Sequence, residues 1–314
     1  MKYFLAAGAL WCTSLPLLAC DVCGLFLGIQ PHERTTNFGL YYRFRQLEGD
    51  LAPYSLLLSK HGDATTQSAE PHHYREFYQV VEARADIWLG QRFSVMAGLP
   101  LVNNYQSIDA RAHADLYGVG DPYVLGRYIA VNTHCGPQQV RSVHRLTIGA
   151  GLKLPLGQHR QTYQGELAEH DLQPGTGTWD ALATVEYMVR RNRTGGSLAL
   201  TGRYNGTSDQ GYAMGHAFSA TAEAFHLFGD GALKWAPSLG AYAEHGLADR
   251  DNGSDVEGTG LSTLFAHAGS RVWWHSWMLT LNYEYALVNS GGALMVPNRQ
   301  RMIIGIACNL NSNT

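Results

Sequence analysis

The chain has 314 residues, of which 45% are hydrophobic and 16% are charged, and its formal net charge is −3. This length fits one large domain without requiring two, and the near-neutral charge excludes a basic nucleic-acid-binding surface and a strongly acidic partner. Glycine and tyrosine are abundant, at 35 and 17 residues, while charge is low for a soluble enzyme. This composition is typical of a β-barrel that alternates apolar and polar side chains.

The first predicted element is a secretory signal peptide at residues 1–19. Lys2 is its basic start, residues 3–11 are apolar, and the apolar stretch is too short to span a membrane as a helix. The residues at 17–20, Leu-Leu-Ala-Cys, fit two interpretations about equally. Either ordinary signal cleavage occurs before Cys20, or the segment is a lipobox and Cys20 is lipidated.

Residues 20–34 are predicted to be a periplasmic extension that begins with a cysteine pair. Cys20 and Cys23 form a Cys-x-x-Cys motif, and Cys135 is predicted to lie at the same periplasmic rim. The periplasm permits disulfides, and thiol clusters also bind soft metals such as copper or zinc. We favour a Cys20–Cys23 disulfide, or a lipidated Cys20 beside a free Cys23, over a metal site, and we expect no other cofactor.

Residues 35–310 are predicted to form an all-β fold, a transmembrane antiparallel up-and-down β-barrel of about twelve strands. Segments with period-2 alternation recur between turn residues. In the clearest segment, 74–90, Val81 lies on the apolar face and Glu82 on the polar face. The predicted strands are 35–46, 74–90, 92–106, 119–132, 142–156, 177–190, 195–206, 211–228, 231–246, 259–274, 275–289 and 299–310.

The predicted connections alternate in length. Those after even-numbered strands are mostly tight, as at Gln91 and 192–194, whereas most of those after odd-numbered strands are long, as at 107–118 and 157–176. Outer-membrane barrels combine tight periplasmic turns with long external loops. An even number of strands then places both termini in the periplasm, with the barrel in the outer membrane of a bacterial cell.

Charged side chains recur on the strand faces opposite the apolar ones. A charge facing lipid at the midplane costs about 2–4 kcal/mol, so the charged faces are predicted to line the lumen. Two hypotheses follow: a polar constriction that filters a small solute, or a salt-bridged network that fills the barrel. The predicted lumen residues are Arg43, Arg45, Glu82, Arg84, Asp86, Arg145, Lys153, Arg203, Glu244 and Glu284.

Glycine-rich motifs occur in a fixed order, after the Cys-Asp-Val-Cys-Gly at 20–24. They are Gly-Val-Gly-Asp at 118–121, Gly-Leu-Lys-Leu-Pro-Leu-Gly at 151–157 and Gly-Thr-Gly-Thr-Trp-Asp at 175–180. Together they resemble the outer-membrane transporter family named for the meta-pathway of phenol degradation, in its branch with an N-terminal CxxCG. The resemblance implies a barrel that moves small, often hydrophobic or aromatic molecules, and it implies no enzyme. From the residues alone we interpret the motifs as strand entries and strand ends, not as solute contacts.

Three functions are compatible with these predictions. The leading hypothesis is a channel or transporter, with outer-membrane lipid and a small-molecule solute as partners and no nucleic acid. The first alternative is a non-transporting scaffold that contacts a periplasmic protein and carries a thiol or soft-metal site at its cysteine pair. The second alternative is an outer-membrane hydrolase, for which the candidates are His216, His226, His245 and His267, although structural histidines are favoured at these positions.

Overall fold

The computed structural model describes residues 35–51, 71–133 and 142–310. The predicted signal peptide, the 20–34 extension and all three cysteines of the predicted thiol site (Cys20, Cys23 and Cys135) lie outside these ranges. Eighteen β-strands account for the regular structure of the described ranges. No helix in them is long and apolar enough to cross a membrane.

Thirteen strands form one sheet, and five two-residue strands lie in the loops. The strands of the sheet are β1 (Asn37–Leu51), β2 (His72–Leu89), β3 (Phe93–Ile108), β4 (Arg111–Val119), β5 (Tyr123–Asn132), β6 (Val143–Lys153), β9 (Asp180–Arg191), β10 (Thr194–Tyr204), β12 (Ala217–His226), β13 (Leu233–Gly246), β16 (Leu261–Trp274), β17 (Trp277–Gly291) and β18 (Asn298–Asn309). The loop strands are β7 (Thr162–Tyr163), β8 (Glu166–Leu167), β11 (Tyr212–Ala213), β14 (Arg250–Asp251) and β15 (Ser254–Asp255).

The sheet closes into a twelve-strand antiparallel barrel, which confirms the predicted fold class. Each strand pairs with its chain neighbour, β1 pairs with β18, and the β2–β3 pairing completes the ring. The thirteen strands occupy twelve positions in the ring, because β4 and β5 share one position. β4 pairs with residues 101–108 of β3, and β5 pairs with residues 93–98 of the same strand. Closure leaves no unpaired sheet edge, which is what the hydrocarbon core of a membrane requires.

The two faces of each strand meet different surroundings. In β2, Glu82 and Asp86 are completely buried inside the barrel, whereas Val81 and Leu89 on the alternate face are 43% and 54% exposed. Exposed apolar side chains on the outer wall suit contact with lipid, and the polar side chains are collected inside. The period-2 alternation in the sequence therefore corresponds to the exterior and the interior of the barrel.

The two rims differ as predicted, with one correction. Tight connections lie on one rim, for example at 192–193 and 275–276, and 154–179 is the longest fully described connection on the other. The predicted long loop 107–118 is wrong: β3 continues to Ile108, and β4 begins at Arg111. Asp109 and Ala110 form the turn with positive φ values of 49° and 63°, as in a two-residue hairpin. Residues 109–110 are Asp-Ala, so this turn lacks the Asn-Gly or Asp-Gly pair by which such turns are predicted from sequence.

Candidate functional site

The ten predicted lumen residues all lie on strands of the barrel, with their side chains on the inner face. Eight of them are buried, and Arg43 and Arg203 are half-buried and line an internal cavity. The buried ones are Arg45, Glu82, Arg84, Asp86, Arg145, Lys153, Glu244 and Glu284. Because buried charges are costly unless they are paired, the partners of these side chains define the site.

Glu82 is the centre of one ion-pair cluster. Its carboxylate lies 3.0 Å from the Arg43 guanidinium and 2.5 Å from that of Arg84, and the Tyr123 hydroxyl donates a hydrogen bond of 2.9 Å to it. The Arg84 guanidinium also lies over the Tyr41 ring, 4.5 Å from its centroid. Two cations and a hydroxyl therefore surround one carboxylate in the barrel interior.

A second cluster connects strands that are not neighbours. Arg45 on β1 lies 2.6 Å from Glu244 on β13, and three strands separate β1 from β13 in the ring, so this contact crosses the interior. Arg301 lies 3.3 Å from Glu244 and 3.4 Å from Glu284. His267 lies 3.2 Å from Glu284 and extends the cluster to β16.

Several interior charges were not among the predicted residues, and four of them lie on predicted strands and form ion pairs with other interior charges. They are Arg127, which pairs with Asp86, and Glu223, Arg271 and Arg301. Arg271 lies 3.5 Å from Glu223. All four lie on predicted strands, so strand parity was the signal that could have identified them.

These ion-paired side chains in the barrel interior are named here the charged layer. Its members are Arg43, Glu82, Arg84, Arg45, Glu244, Glu284, Arg301 and His267, together with the pairs Asp86–Arg127 and Glu223–Arg271. Glu82, Asp86 and Asn282 each expose 0% of their surface, and His267 exposes 3%. These four side chains are therefore almost completely shielded from solvent.

The three glycine-rich motifs converge on Asp121. Its carboxylate accepts hydrogen bonds from the backbone N–H groups of Gly157 and Thr176, both at 2.8 Å, and from the Lys153 ammonium at 2.7 Å. A Cβ at Gly157 would lie 2.7 Å from the Asp121 nitrogen, and one at Gly175 would lie 2.8 Å from the Gly157 Cα. The glycines thus permit close backbone approach between segments that are distant in the chain.

This anchor holds residues 154–179, named here the inserted loop, inside one end of the barrel. Leu172, in the second half of this loop, is 1% exposed and packs in one apolar cluster with Leu47, Tyr78 and Val296. The Asn104 side chain donates a hydrogen bond of 3.0 Å to the Leu172 carbonyl. The inserted loop therefore covers the interior at the rim that carries the long loops.

The neighbouring loop, residues 205–216, also contacts the inserted loop. The His170 ring stacks on Tyr212 with centroids 3.9 Å apart, and Arg160 pairs with Asp209. The Tyr212 hydroxyl in turn donates to Asp249. Contacts from several loops thus hold the cover in place.

A cavity of about 200 Å³ lies inside the barrel, beneath the inserted loop. Its cover includes His170, Gln173 and Thr176, and its walls include Glu82 and Tyr123 of the charged layer. The five basic side chains that line it are Arg43, Arg45, Lys153, Arg203 and Arg301. Its apolar lining includes Val80, Pro100, Val102, Leu182, Met214 and Ile303. Apolar surface on the inner side of a barrel wall departs from the usual polar lumen.

Of the four histidines considered for a hydrolase, His226, His245 and His267 lie on strands as predicted, whereas His216 lies in the connection just before β12. His267 is buried between Glu223 and Glu284. His226 forms a hydrogen bond with the Thr194 hydroxyl at the rim of tight turns. His216 stacks on a tyrosine, and His245 lies 3.1 Å from the Ser262 hydroxyl. Within the three described ranges, no group of three or more histidine, cysteine or acidic residues is arranged to hold a metal ion.

Comparison with known proteins identifies the fold. The COG4313 outer membrane channel from Pseudomonas putida F1 has a similar structure, with a TM-score of 0.60, 13% identity, and coverage of 89% of this chain and 96% of the channel. The β domain of the Bordetella autotransporter BrkA gives a TM-score of 0.45 with 11% identity, covering 88% of this chain and all of that domain. No family model and no curated protein matches the chain. The likeness establishes a barrel of the outer-membrane type.

Proposed function

We propose that this chain is an outer-membrane channel for small solutes in which the inserted loop and the charged layer control passage. The observation that carries the proposal is the cavity between these two barriers. A space inside a barrel that is lined by both polar and apolar side chains has the character of a solute site, because ligand pockets combine apolar walls with a few oriented polar groups. The apolar outer wall and the similarity in fold to an outer-membrane channel support the location.

The proposed orientation has the inserted loop outside the cell and the tight turns in the periplasm. The asymmetry of the two rims supports it, because outer-membrane barrels carry short periplasmic turns and longer external loops. Both termini then lie in the periplasm. A solute would first meet the inserted loop and then the cavity, whose walls carry side chains of the charged layer.

The pairing in the charged layer suits a barrier that opens by side-chain movement. Glu82 has two cationic partners and Glu244 likewise has two, so one guanidinium can swing aside while the carboxylate keeps its other partner. The predicted filter and the predicted network are then two states of the same residues. The apolar lining of the cavity supports solutes of the hydrophobic or aromatic kind that the family resemblance implies.

Conductance measurements on a loop-shortened variant test this function. Replacing residues 160–173 with a short Gly-Ser linker removes the tip of the inserted loop but leaves Gly157, Thr176 and their bonds to Asp121. We expect conductance in planar bilayers, and swelling of liposomes in small sugars, to rise several-fold over the wild type. Replacing the turn 229–231, which lies on the other rim and outside the cavity lining, with a Gly-Ser linker of equal length is the control and should change neither.

The result that contradicts the proposal is a folded barrel that stays closed. If neither the wild type nor the loop-shortened variant conducts or allows swelling, the non-transporting scaffold becomes the better description. Heat-dependent migration on gels shows whether each barrel is folded before it is measured.

A further inference from the structure

An unusual row of side chains crosses the inner wall of the cavity. Ile303, Arg43, Val80 and Val102 are register partners on four adjacent strands, β18, β1, β2 and β3. All four line the cavity. A single guanidinium is therefore flanked on both sides by apolar side chains, whereas inner barrel faces are normally polar throughout.

The row one step closer to the inserted loop adds two more guanidinium groups. Arg45 is the register partner of Arg301 on β18 and of Tyr78 on β2. These three side chains also line the cavity. The apolar row is thus bordered by cations on the side from which a solute would enter.

The facing wall repeats the combination. Leu182 on β9 and Arg203 on β10 are register partners, and both line the cavity. In the ring of twelve strands, β10 is six positions from β1 and lies directly opposite it. Guanidinium groups and apolar side chains therefore meet the cavity from both sides.

The acidic side chains are less available to a solute than the basic ones. Glu82 already contacts Arg43, Arg84 and Tyr123, and Asp121 accepts bonds from Lys153 and two backbone N–H groups. Glu244 and Glu284, which pair with Arg45 and Arg301, are not part of the cavity lining. The third lining carboxylate, Asp171, belongs to the inserted loop.

Arg43 retains capacity for a further bond. Its Nη2 atom lies 3.0 Å from Glu82, while its buried Nε atom has no hydrogen-bond partner among the described residues. A guanidinium has five N–H donors arranged in a planar fork, which matches the geometry of a carboxylate. A carboxylate bound in the cavity would give this group a second partner.

We infer that the cavity binds a small organic anion with an apolar body, of the class of aromatic monocarboxylates. The carboxylate contacts the guanidinium of Arg43 and its neighbours, and the apolar body lies on Val80, Val102 and Ile303. The volume of about 200 Å³ limits the ligand to a small one, since sites for drug-sized ligands span roughly 300–1,000 Å³. This inference rests on the proposed function and deepens it by naming the class of solute.

Binding of benzoate to the full-length, detergent-solubilised barrel tests the inference. Isothermal titration calorimetry at constant ionic strength compares benzoate with benzyl alcohol, its neutral counterpart, and with benzylammonium. We expect benzoate to bind about tenfold or more tightly than the alcohol, and the cation not to bind, because hydrogen bonds between ionised groups are stronger than those to a neutral hydroxyl.

The variant Arg43→Gln separates this site from a general charge effect. It is tolerable in the fold because Glu82 keeps Arg84 at 2.5 Å and Tyr123 at 2.9 Å. We expect benzoate binding to weaken about tenfold, and Arg43→Lys, which keeps the charge but loses the planar fork, to give an intermediate loss. Arg271→Gln is the matched control, because Arg271 is also buried and paired but lies outside the cavity lining.

Two results would overturn the inference. The first is that the folded wild type and the folded variant Asp121→Asn both bind benzoate no better than benzyl alcohol. The variant is included because its loosened inserted loop does not limit entry of the ligand. The second is equal weakening by Arg43→Gln and Arg271→Gln. Since calorimetry does not require transport, a barrel that binds benzoate but never conducts would contradict the proposed function alone.

Discussion

Glu82 is the residue on which the charged layer depends most directly. Replacing it with alanine leaves Arg43 and Arg84 facing each other without their shared carboxylate. Removing one partner of a buried ion pair typically costs about 3–5 kcal/mol, because an uncompensated charge remains. We therefore expect Glu82→Ala to lower the free energy of unfolding by about that amount, measured by urea denaturation in lipid vesicles.

An exposed glutamate provides the comparison. Glu257 lies in the loop before β16 and is exposed, so Glu257→Ala should change the free energy of unfolding by about 0.5 kcal/mol or less. If Glu82→Ala is as mild as this control, the ion pairs around Glu82 do not stabilise the barrel.

Asp121 acts through the loop that it anchors. Asp121→Asn keeps the shape of the side chain but replaces one acceptor oxygen with an N–H donor, which then faces the Thr176 N–H and the Lys153 ammonium. We expect the inserted loop to detach more often, and trypsin to cleave after Arg160 about tenfold faster than in the wild type. Cleavage is followed by gel electrophoresis of the reconstituted barrel.

Asp115→Asn is the control for this prediction. Asp115 is an exposed side chain on β4 that accepts a hydrogen bond of 3.1 Å from Asn103, and it takes no part in the bonds that Asp121 makes to the inserted loop. Equal cleavage rates in the wild type and in Asp121→Asn would mean that the loop is held without the Asp121 bonds.

At the scale of single elements, β1 and β2 are longer than a membrane crossing requires and extend to the rim of long loops. These strands have 15 and 18 residues, whereas about 9–11 residues span the bilayer. At the rim of long loops, hydrogen bonds to Asp50 and then Glu48 raise the pKa of His73 above its ordinary value. The protonated ring therefore connects the two strands.

The sign of this shift predicts how the hairpin end responds to pH. Because the pKa of His73 is higher in the folded state, its contribution is complete below about pH 6.5 and is lost as the pH rises through the raised value. We expect hydrogen-exchange protection of residues 72–75, corrected for the intrinsic rate, to be lower at about pH 9 than at about pH 6. His73→Gln should remove this difference.

A histidine at the other rim controls for general pH effects. His226 contacts the Thr194 hydroxyl at 2.8 Å and is far from the β1–β2 end, so His226→Gln should leave the protection of residues 72–75 as in the wild type. Identical protection at both pH values in the wild type would contradict the role assigned to His73.

At the scale of the whole molecule, the even number of strands brings both ends of the barrel to one rim. A protease-cleavable tag in the 251–253 turn, between β14 and β15, is therefore expected to be cut in intact cells, since this turn belongs to the rim of long loops. The same tag in the 229–231 turn should be cut only after the outer membrane is permeabilised. The opposite pattern would reverse the proposed orientation.

Much of the fold was predictable because the deciding signal is local. Each strand alternates with period two, and a one-residue shift would move every charge to the lipid side, so the medium on each face fixes the assignment. Glu82 and Val81 show this directly, since one is fully buried and the other 43% exposed. The twelve strands and the interior location of the ten charges follow from this pattern.

The structure differs from the sequence-based prediction at one turn and at several interior charges. The Asp109–Ala110 turn lacks a glycine, so the β3–β4 hairpin resembled a long loop in the sequence. Arg127 and Arg301 were overlooked although their strands and parity were available. In both cases the sequence contained the residues but not the pairing that shows their role.

By itself, the sequence determined that the chain forms a closed antiparallel barrel with an apolar outside, a charged inside and two unequal rims. Only the tertiary structure decided that Asp121 bonds to Gly157 and Thr176, which are 36 and 55 residues away, and that residues 154–179 turn inward. It also decided that Arg43 lies between Ile303 and Val80. Alternation depends on neighbouring residues and the medium, whereas these contacts depend on ring closure and strand register, which no single segment encodes.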